Sequence, residues 1–195
     1  MKVSGAALVV ALGATAVHAT TVFDFSTLPQ GVEENVVTSG GSKATISGGN
    51  GTYFVEPNGG VFVTLSPDVM EHPITPTDFY IAIVFNNDFT MVSIPFAVNS
   101  TAVSLSLTAF FDSGQTAGTA SADGVVPGGG TFAEGVITFS GSPFKDVFLG
   151  FSTGGTEAVL GNFTGDAAAP EPGTFLMLGV GLAALRVAKW RFSWL

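Results

Sequence analysis

Few side chains in this sequence could do acid–base or nucleophilic chemistry. Cysteine is absent, and histidine occurs only at His18 and His72, so no cysteine nucleophile, disulfide or thiolate metal site can form. His72 follows Glu71 and precedes a proline, which predicts a surface turn. Gly150-Phe151-Ser152-Thr153-Gly154 has the Gly-x-Ser-x-Gly spacing, but no helical pattern follows it, so no strand-to-helix nucleophile elbow is predicted. Glu33 and Glu34 are adjacent, so they point to opposite faces of a strand and make a poor glycosidase pair. We therefore expect no catalytic activity.

Four aspartates are the candidate ligands for a metal ion: Asp24, Asp112, Asp146 and Asp166. Calcium binds six to eight oxygen atoms and accepts carboxylates at loop edges. No Asp-x-Asp-x-Asp spacing joins these residues. The sequence therefore leaves calcium open as an alternative and otherwise predicts no cofactor.

Aromatic side chains are the remaining candidates for ligand contact. Tyr53 and Tyr80, together with Phe54 and Phe62, are the candidates for stacking on sugar rings, because an aromatic ring offers a large apolar surface and tyrosine adds a hydroxyl. Most of the 18 phenylalanines are expected in the core instead.

Charge is distributed unevenly along the chain. Between Thr20 and Ala169 there are 14 acidic residues and two lysines, Lys43 and Lys145, which leaves 12 net negative charges. Nucleic-acid binding needs clustered lysine and arginine, so this segment excludes it.

Composition and pattern predict an all-β domain for the same segment. Glycine, at 26 residues, is about twice as frequent as usual, which suits turns and disfavours helices. The strict alternation in Val103–Ala109 predicts a strand with one buried face, and about ten short strands with no helix predict a single two-sheet sandwich of jelly-roll type. The other predicted strands are Thr21–Phe25, Lys43–Ser47, Thr52–Glu56, Val61–Leu65, Phe79–Phe85, Thr90–Val98, Thr116–Ala120, Gly135–Ser140, Phe144–Phe151 and Thr156–Phe163.

Two of these strands differ from the rest. Phe79–Phe85 and Phe144–Phe151 are more continuously apolar, which is typical of central strands that are covered on both faces. The sequence therefore predicts that neither strand has an open face.

The amino-terminal segment has the features of a secretory signal peptide. Lys2 precedes an apolar run over Val3–Val17, and Val17-His18-Ala19 has the small-x-small pattern of a cleavage site. Residues 1–19 are thus predicted to pass through the secretion translocon and be removed between Ala19 and Thr20. The protein domain then covers residues 20–165.

The carboxy-terminal segment predicts a short membrane helix. A small-residue spacer over residues 166–169 precedes Pro170-Glu171-Pro172, and the apolar residues from 173 to 185 come before a basic cluster. Thirteen helical residues cover about 20 Å of a hydrocarbon layer about 30 Å thick, and snorkelling extends the helix to about residues 173–190. The basic cluster keeps this end in the cytoplasm by the positive-inside rule; it consists of Arg186, Lys189 and Arg191.

This end resembles the PEP-CTERM sorting signal of Gram-negative bacteria, a Pro-Glu-Pro motif followed by a short apolar helix and an arginine-rich terminus. Pro170, Glu171 and Pro172 match that motif, whereas the basic cluster is interrupted by Val187, Ala188 and Trp190. The resemblance implies recognition by an exosortase at the inner membrane, processing near the motif, and transfer to the cell surface or extracellular matrix. A plain membrane anchor is the alternative.

The stretch from Phe79 to Phe151 resembles the sandwich domain common in PEP-CTERM proteins. Such domains often close with an Asp-Asn pair on the last strand; here the corresponding place reads Leu160-Gly161-Asn162-Phe163, without the aspartate. The leading hypothesis is a non-catalytic surface protein of an exopolysaccharide-rich layer such as a biofilm. A carbohydrate-binding module is the alternative, and a hydrolase has the least support.

Overall fold

The computed structural model describes residues 20–31, 35–48, 54–73, 80–152 and 157–168. These residues form eleven strands and one short 3-10 helix, Phe25–Thr27, so the all-β prediction is confirmed. Within this part of the chain, no helix has the length and apolarity needed to cross a membrane. The strands are β1 Thr20–Phe23, β2 Val36–Ser39, β3 Ser42–Ser47, β4 Phe54–Pro57, β5 Asp68–Pro73, β6 Tyr80–Val98, β7 Ala102–Phe110, β8 Thr116–Val125, β9 Ala133–Phe151, β10 Glu157–Leu160 and β11 Phe163–Ala167.

Two 19-residue strands, β6 and β9, run through both layers of the sandwich. Their antiparallel pairing shifts register around Val84 and Phe89, and such irregularities bend a sheet. The first half of β6 pairs with β3 and the second half of β9, which also pairs with β7. The second half of β6 pairs with β10, β11 and the first half of β9. We call these the first and second layer; both belong to one curled sheet.

The core lies between the layers and is rich in phenylalanine. Phe23 stacks on Phe163 with ring centroids 4.6 Å apart, and Phe85 lies 4.6 Å from Phe89; all four side chains are fully buried. The layers approach closely where a side chain is absent, since a Cβ on Gly118 would lie 2.6 Å from the ring of Phe139. Buried aromatic area of this kind stabilises the domain, as disulfides stabilise many exported domains.

Residues 58–66 form a loop, which we call the covering loop, rather than the predicted strand over Val61–Leu65. The side chain of Asn58 is buried and determines the loop's shape. Its amide donates to the carbonyls of Phe62, at 2.8 Å, and Ser66, at 3.2 Å, and its oxygen accepts from Phe62 N at 2.8 Å. These bonds to one side chain replace a β-ladder, so the alternating pattern is misleading here.

The two ends of the domain meet in one strand pair. β1 pairs with β11, Thr20 facing Asp166, and Thr20 Oγ1 donates to Asp166 Oδ1 at 2.6 Å. β11 runs to Ala167, two residues into the predicted spacer, and Ala168 N donates to Asp88 O at 2.8 Å. Ala19–Ala168 form one compact unit, so this unit contains the whole described core.

Candidate functional site

The outward face of the first layer is open, which contradicts the prediction that its apolar strands are covered on both faces. Tyr80 and Val84 of β6 are 44% and 41% exposed, and Phe148 of β9 is 40% exposed. Their inward-facing neighbours Ile83 and Leu149 are fully buried. The strands are more apolar than one buried face requires because their second face carries aromatic side chains in contact with solvent.

Three aromatic rings on this face form a continuous line, which we call the aromatic strip. Tyr80 and Phe148 are stacked with centroids 6.1 Å apart and an interplanar angle of 29°. Phe110 meets Phe148 edge-on, at 5.2 Å and 76°. Such contacts hold each ring in a fixed orientation and gain about 0.5–1.5 kcal/mol per pair. The strip is therefore a preformed apolar surface.

Strand register determines the direction of the aromatic strip. Tyr80 of β6 faces Gly150 of β9, and Phe148 of β9 faces Thr108 of β7. Phe110 faces Asp146, one side-chain row further along. Each ring is therefore two residues away from the position that directly faces the ring on the neighbouring strand. The aromatic strip crosses the three strands diagonally.

A shallow depression of about 380 Å³ lies beside the strip, between the ends of β7, β8 and β9. We call it the Asp123 depression; Ser104, Asp123, Val125 and Ser152 are among the residues lining it. Ser104 Oγ donates to Asp123 Oδ1, and Ser104 N donates to Ser152 Oγ at 2.8 Å. The depression therefore presents hydroxyls and a carboxylate one row from the row of Tyr80, Gly150 and Ser106.

Charged side chains stand at the other end of the strip. Lys145 Nζ lies 3.1 Å from Asp112 Oδ1, and this hydrogen bond raises the pKa of the lysine. Asp146, opposite Phe110, has one buried carboxylate oxygen without a hydrogen-bond partner. Burial raises the pKa of Asp146 because it disfavours the charged form. The charges closest to the strip are thus mainly acidic.

The residues predicted from sequence for ligand contact are separated by the structure. Tyr80 belongs to the aromatic strip, Phe54 is half-buried, and Phe62, in the covering loop, is 6% exposed. Tyr53, Glu33 and Glu34 lie outside the described residues, as do the signal segment with Ala19 and the whole carboxy-terminal segment, with Pro170, Glu171, Pro172, Arg186, Lys189 and Arg191.

The structure corrects the position of His72 and shows where the four aspartates considered for calcium lie. The backbone of His72 lies in β5 opposite Ala158 rather than in a turn. The aspartates have separate partners: Asp24 bonds to Asn162, Asp112 to Lys145 and Asp166 to Thr20. No group of three or more histidine, aspartate or glutamate side chains in the described ranges could hold a metal ion. Calcium binding, the alternative to the predicted absence of a cofactor, stays untested.

The missing aspartate of the expected Asp-Asn pair is replaced from the other end of the domain. Asn162 Nδ2 donates to Asp24 Oδ1 at 2.8 Å, and Asn162 Oδ1 accepts from Phe25 N at 2.8 Å. Asp24 also accepts from Ser26 N at 2.9 Å, and this bond lowers the pKa of Asp24. The pair therefore ties the 3-10 turn after β1 to the residue before β11.

Two groups of residues were missed from the sequence. Phe148 was placed in a predicted strand and Phe110 just after one, both without a ligand role, because only the register shows that they continue the line begun by Tyr80. Glu134 is 4% exposed and accepts from Val63 N at 2.7 Å and from Thr64 N at 2.6 Å. A buried carboxylate in a strand has no local sequence signal when its donors are about seventy residues away.

Comparison with known proteins identifies the carboxy-terminal segment. Residues 168–191 match the family model of the PEP-CTERM protein-sorting motif. The chain therefore carries this sorting motif, as predicted from Pro170-Glu171-Pro172, and the motif supports export to the cell surface. No curated protein matches the sequence.

Several solved structures resemble the domain at low identity. The K2 cleaved adhesin domain of Lys-gingipain is 10% identical, with a TM-score of 0.48 and coverage of 77% of this chain and 99% of that chain. The CBM22-1 xylan-binding domain from Paenibacillus barcinonensis is 14% identical, with a TM-score of 0.45 and coverage of 80% and 100%. A CBM29-2 mutant complexed with mannohexaose is 10% identical, with a TM-score of 0.44 and coverage of 77% and 92%. These similarities are too distant to indicate a ligand.

Proposed function

We propose that this is an exported, non-catalytic cell-surface protein that an exosortase sorts through its carboxy-terminal motif. The observation that carries the proposal is the match of residues 168–191 to the sorting motif. The predicted signal peptide at residues 1–19 supports export through the secretion translocon, and the basic cluster at Arg186, Lys189 and Arg191 supports passage through the inner membrane with that end inside. The destination is the cell surface or extracellular matrix.

The end of the domain suits processing at the motif. β11 is hydrogen-bonded to β1 and β6, and Ala168 N bonds Asp88 O at 2.8 Å. A protease needs an extended, accessible backbone, so the folded sheet protects the chain up to about residue 168. The motif at 170–172 begins two residues later.

Intact mass of the protein from its native cell tests this proposal. We expect a mature chain that begins at Thr20 and ends between residues 169 and 174. A chain that runs to Leu195 contradicts sorting with cleavage and supports a plain membrane anchor. A chain that ends inside β11 contradicts protection by the sheet.

Carbohydrate binding is the second candidate function, and the aromatic strip favours it. Sugar rings have apolar C–H faces that pack on aromatic rings, and Tyr80 and Phe148 are both exposed and mutually oriented. A glycan array probed with the domain of residues 20–168 tests the candidate. We expect binding to extracellular polysaccharide that falls with Tyr80→Ala. Absence of binding to every glycan contradicts it and leaves the sorting proposal unaffected.

A further inference from the structure

We propose that the open face of the first layer binds a neutral polysaccharide, with pyranose rings on the aromatic strip and sugar hydroxyls at the Asp123 depression. This inference rests on the carbohydrate-binding candidate above and specifies its site and ligand class. It includes Phe110, Phe148, Ser104 and Asp123, for which the sequence indicated no ligand role.

The aromatic strip supplies the apolar part of the site. Tyr80 and Phe148 each keep more than a third of their surface in solvent, although most of the other aromatic rings among the described residues are buried. Their contacts with each other and with Phe110 keep the rings in place before a ligand arrives. A preformed surface loses little conformational entropy on binding, which matters for sugars because their contacts are individually weak.

Gly150 lies between the strip and the polar residues, opposite Tyr80 on one side and Ser106 on the other. Ser106 Oγ donates to Gly150 O at 3.1 Å and occupies the space that a Cβ on Gly150 would need, since that Cβ would lie 2.9 Å from it. This row therefore presents a hydroxyl beside Tyr80, which offers a polar partner to a sugar ring on the strip.

The Asp123 depression supplies the polar part of the site. Carboxylates offer several acceptor positions, and the bond from Ser104 uses only one oxygen of Asp123. Pairs of sugar hydroxyls are donors that suit a carboxylate, and the hydroxyls of Ser104 and Ser152 both donate and accept. The depression has a volume of about 380 Å³, which is at the lower end of small-ligand sites and fits a sugar ring.

The negative charge of the domain favours an uncharged ligand. The segment from residue 20 to 169 has 14 acidic residues against two lysines, and Lys145 is already paired with Asp112 at 3.1 Å. Asp123 and Asp146 both lie on the face itself. Like charges oppose association with uronic-acid polymers and with anionic lipid surfaces, whereas an uncharged polysaccharide experiences no such repulsion. The face therefore favours a neutral chain.

Calorimetric titration of the domain of residues 20–168, which contains the whole described core, tests the inference. The ligands are soluble neutral polysaccharides, namely β-glucan, mannan and arabinoxylan, and the anionic polymers alginate and polygalacturonate. We expect binding to at least one neutral polymer only. Phe148→Ala should weaken it about tenfold or more, and Asp123→Asn about threefold, since about 1.4 kcal/mol corresponds to a factor of ten. Val136→Ala, on the other layer and 54% exposed, should leave affinity within about twofold.

The possible outcomes distinguish failure of this particular site from failure of carbohydrate binding in general. Neutral binding that survives both Phe148→Ala and Asp123→Asn overturns this site and leaves carbohydrate binding in place. Stronger binding to alginate or polygalacturonate overturns the ligand class. No binding to any polymer overturns carbohydrate binding itself. Phe148→Leu keeps apolar area without a ring. If it weakens binding as much as Phe148→Ala does and keeps the wild-type melting temperature, the result supports stacking and excludes misfolding.

Discussion

The two outward faces of the sandwich differ in how they treat apolar side chains. On the second layer, the covering loop places Phe62 and Leu65 over the strands, where they are 6% and 8% exposed. The buried carboxylate of Glu134 holds this loop through two backbone amides and a hydroxyl. On the first layer, none of the segments that the structure describes covers Tyr80 and Phe148, which remain about 40% exposed.

This difference shows that the fold itself does not require the aromatic strip to be exposed. The same chain covers one apolar face with nine residues organised by Asn58 and Glu134. Leaving large side chains in water forgoes about 25 cal/mol for each Å² that could be buried. Apolar surface that a protein leaves open in this way commonly marks a binding site, and the two faces can be tested against each other.

Loss of the carboxylate that holds the covering loop on the second layer should have a large effect on stability. Glu134→Ala leaves Val63 N and Thr64 N without their acceptor, and each buried unsatisfied donor costs about 1–3 kcal/mol. We expect the free energy of unfolding to fall by about 2–3 kcal/mol in urea titrations. Glu134→Gln is the matched control: it keeps one acceptor oxygen and should cost about half as much. A Glu134→Ala domain as stable as wild type contradicts this role for the carboxylate.

The anchor at the end of the covering loop should have a smaller effect. Asn162 N donates to Ser66 Oγ at 2.9 Å, and Asn162 is itself held by Asp24. Asp24 also caps the 3-10 turn through Ser26 N, and loss of such a cap costs about 1 kcal/mol. We expect Asp24→Ala to destabilise the domain by about that amount at pH 7. Asp112→Ala, which removes an exposed ion pair, should cost much less.

Acid should remove the contribution of Asp24. The pKa of Asp24 is lowered in the folded state from the ordinary value of 3.8, so its stabilisation is complete above that value and is lost as the pH falls through the folded pKa. The gap in free energy of unfolding between wild type and Asp24→Ala should therefore narrow below about pH 4. A gap that widens on acidification contradicts this interpretation.

Changing the open face should affect stability less and binding more. We expect Phe148→Ser to lower the free energy of unfolding by under about 1 kcal/mol, because much of the ring is already in water. Phe62→Ser on the covered face removes a buried ring and should cost about 2–4 kcal/mol. Thermal melts of the two variants, side by side, compare the faces directly. Equal destabilisation would show that the strip is part of the core.

The smallest expected effect is an increase in stability. Burial raises the pKa of Asp146 above its ordinary value of 3.8, so the charged form is a net cost at neutral pH that disappears once the group is protonated. Asp146→Asn should stabilise the domain by under about 0.5 kcal/mol at pH 7, since solvent screens a partly exposed charge. The gain should decrease as the pH falls through the raised pKa of folded Asp146 and vanish below the ordinary value of 3.8, where the group is protonated in the folded and the unfolded chain. Destabilisation at pH 7 contradicts a desolvation cost.

The local sequence pattern predicted strands correctly where the burial of one strand face determines the structure. The alternation over Val103–Ala109 lies within β7, and its apolar members face the core. The pattern failed where distant side chains act: Val61–Leu65 alternates but forms a loop because Asn58 and Glu134 bind its backbone. Phe79–Phe85 and Thr90–Val98 were separated at polar residues, although β6 continues through them with a shift in register.

The candidate site could be predicted only in part. The sorting motif is a contiguous signal and was found from Pro170-Glu171-Pro172, and Tyr80 was named as a sugar contact. Phe110 and Phe148 could not be assigned, since a phenylalanine in an apolar strand looks the same whether its face is covered or open. Whether a face is covered depends on other segments of the chain, so the sequence pattern of the strand does not contain that information.

Fluorescence of Tyr80 tests the central claim most directly. Trp190 and Trp194 lie beyond residue 168, so in a domain of residues 20–168 with Tyr53→Phe, Tyr80 is the only tyrosine and no tryptophan is present. Titration with the neutral polysaccharide that binds should change its emission saturably, with the midpoint found by calorimetry, because the ligand packs on the ring. Binding seen by calorimetry with unchanged Tyr80 emission would place the ligand elsewhere and contradict the account of the open face.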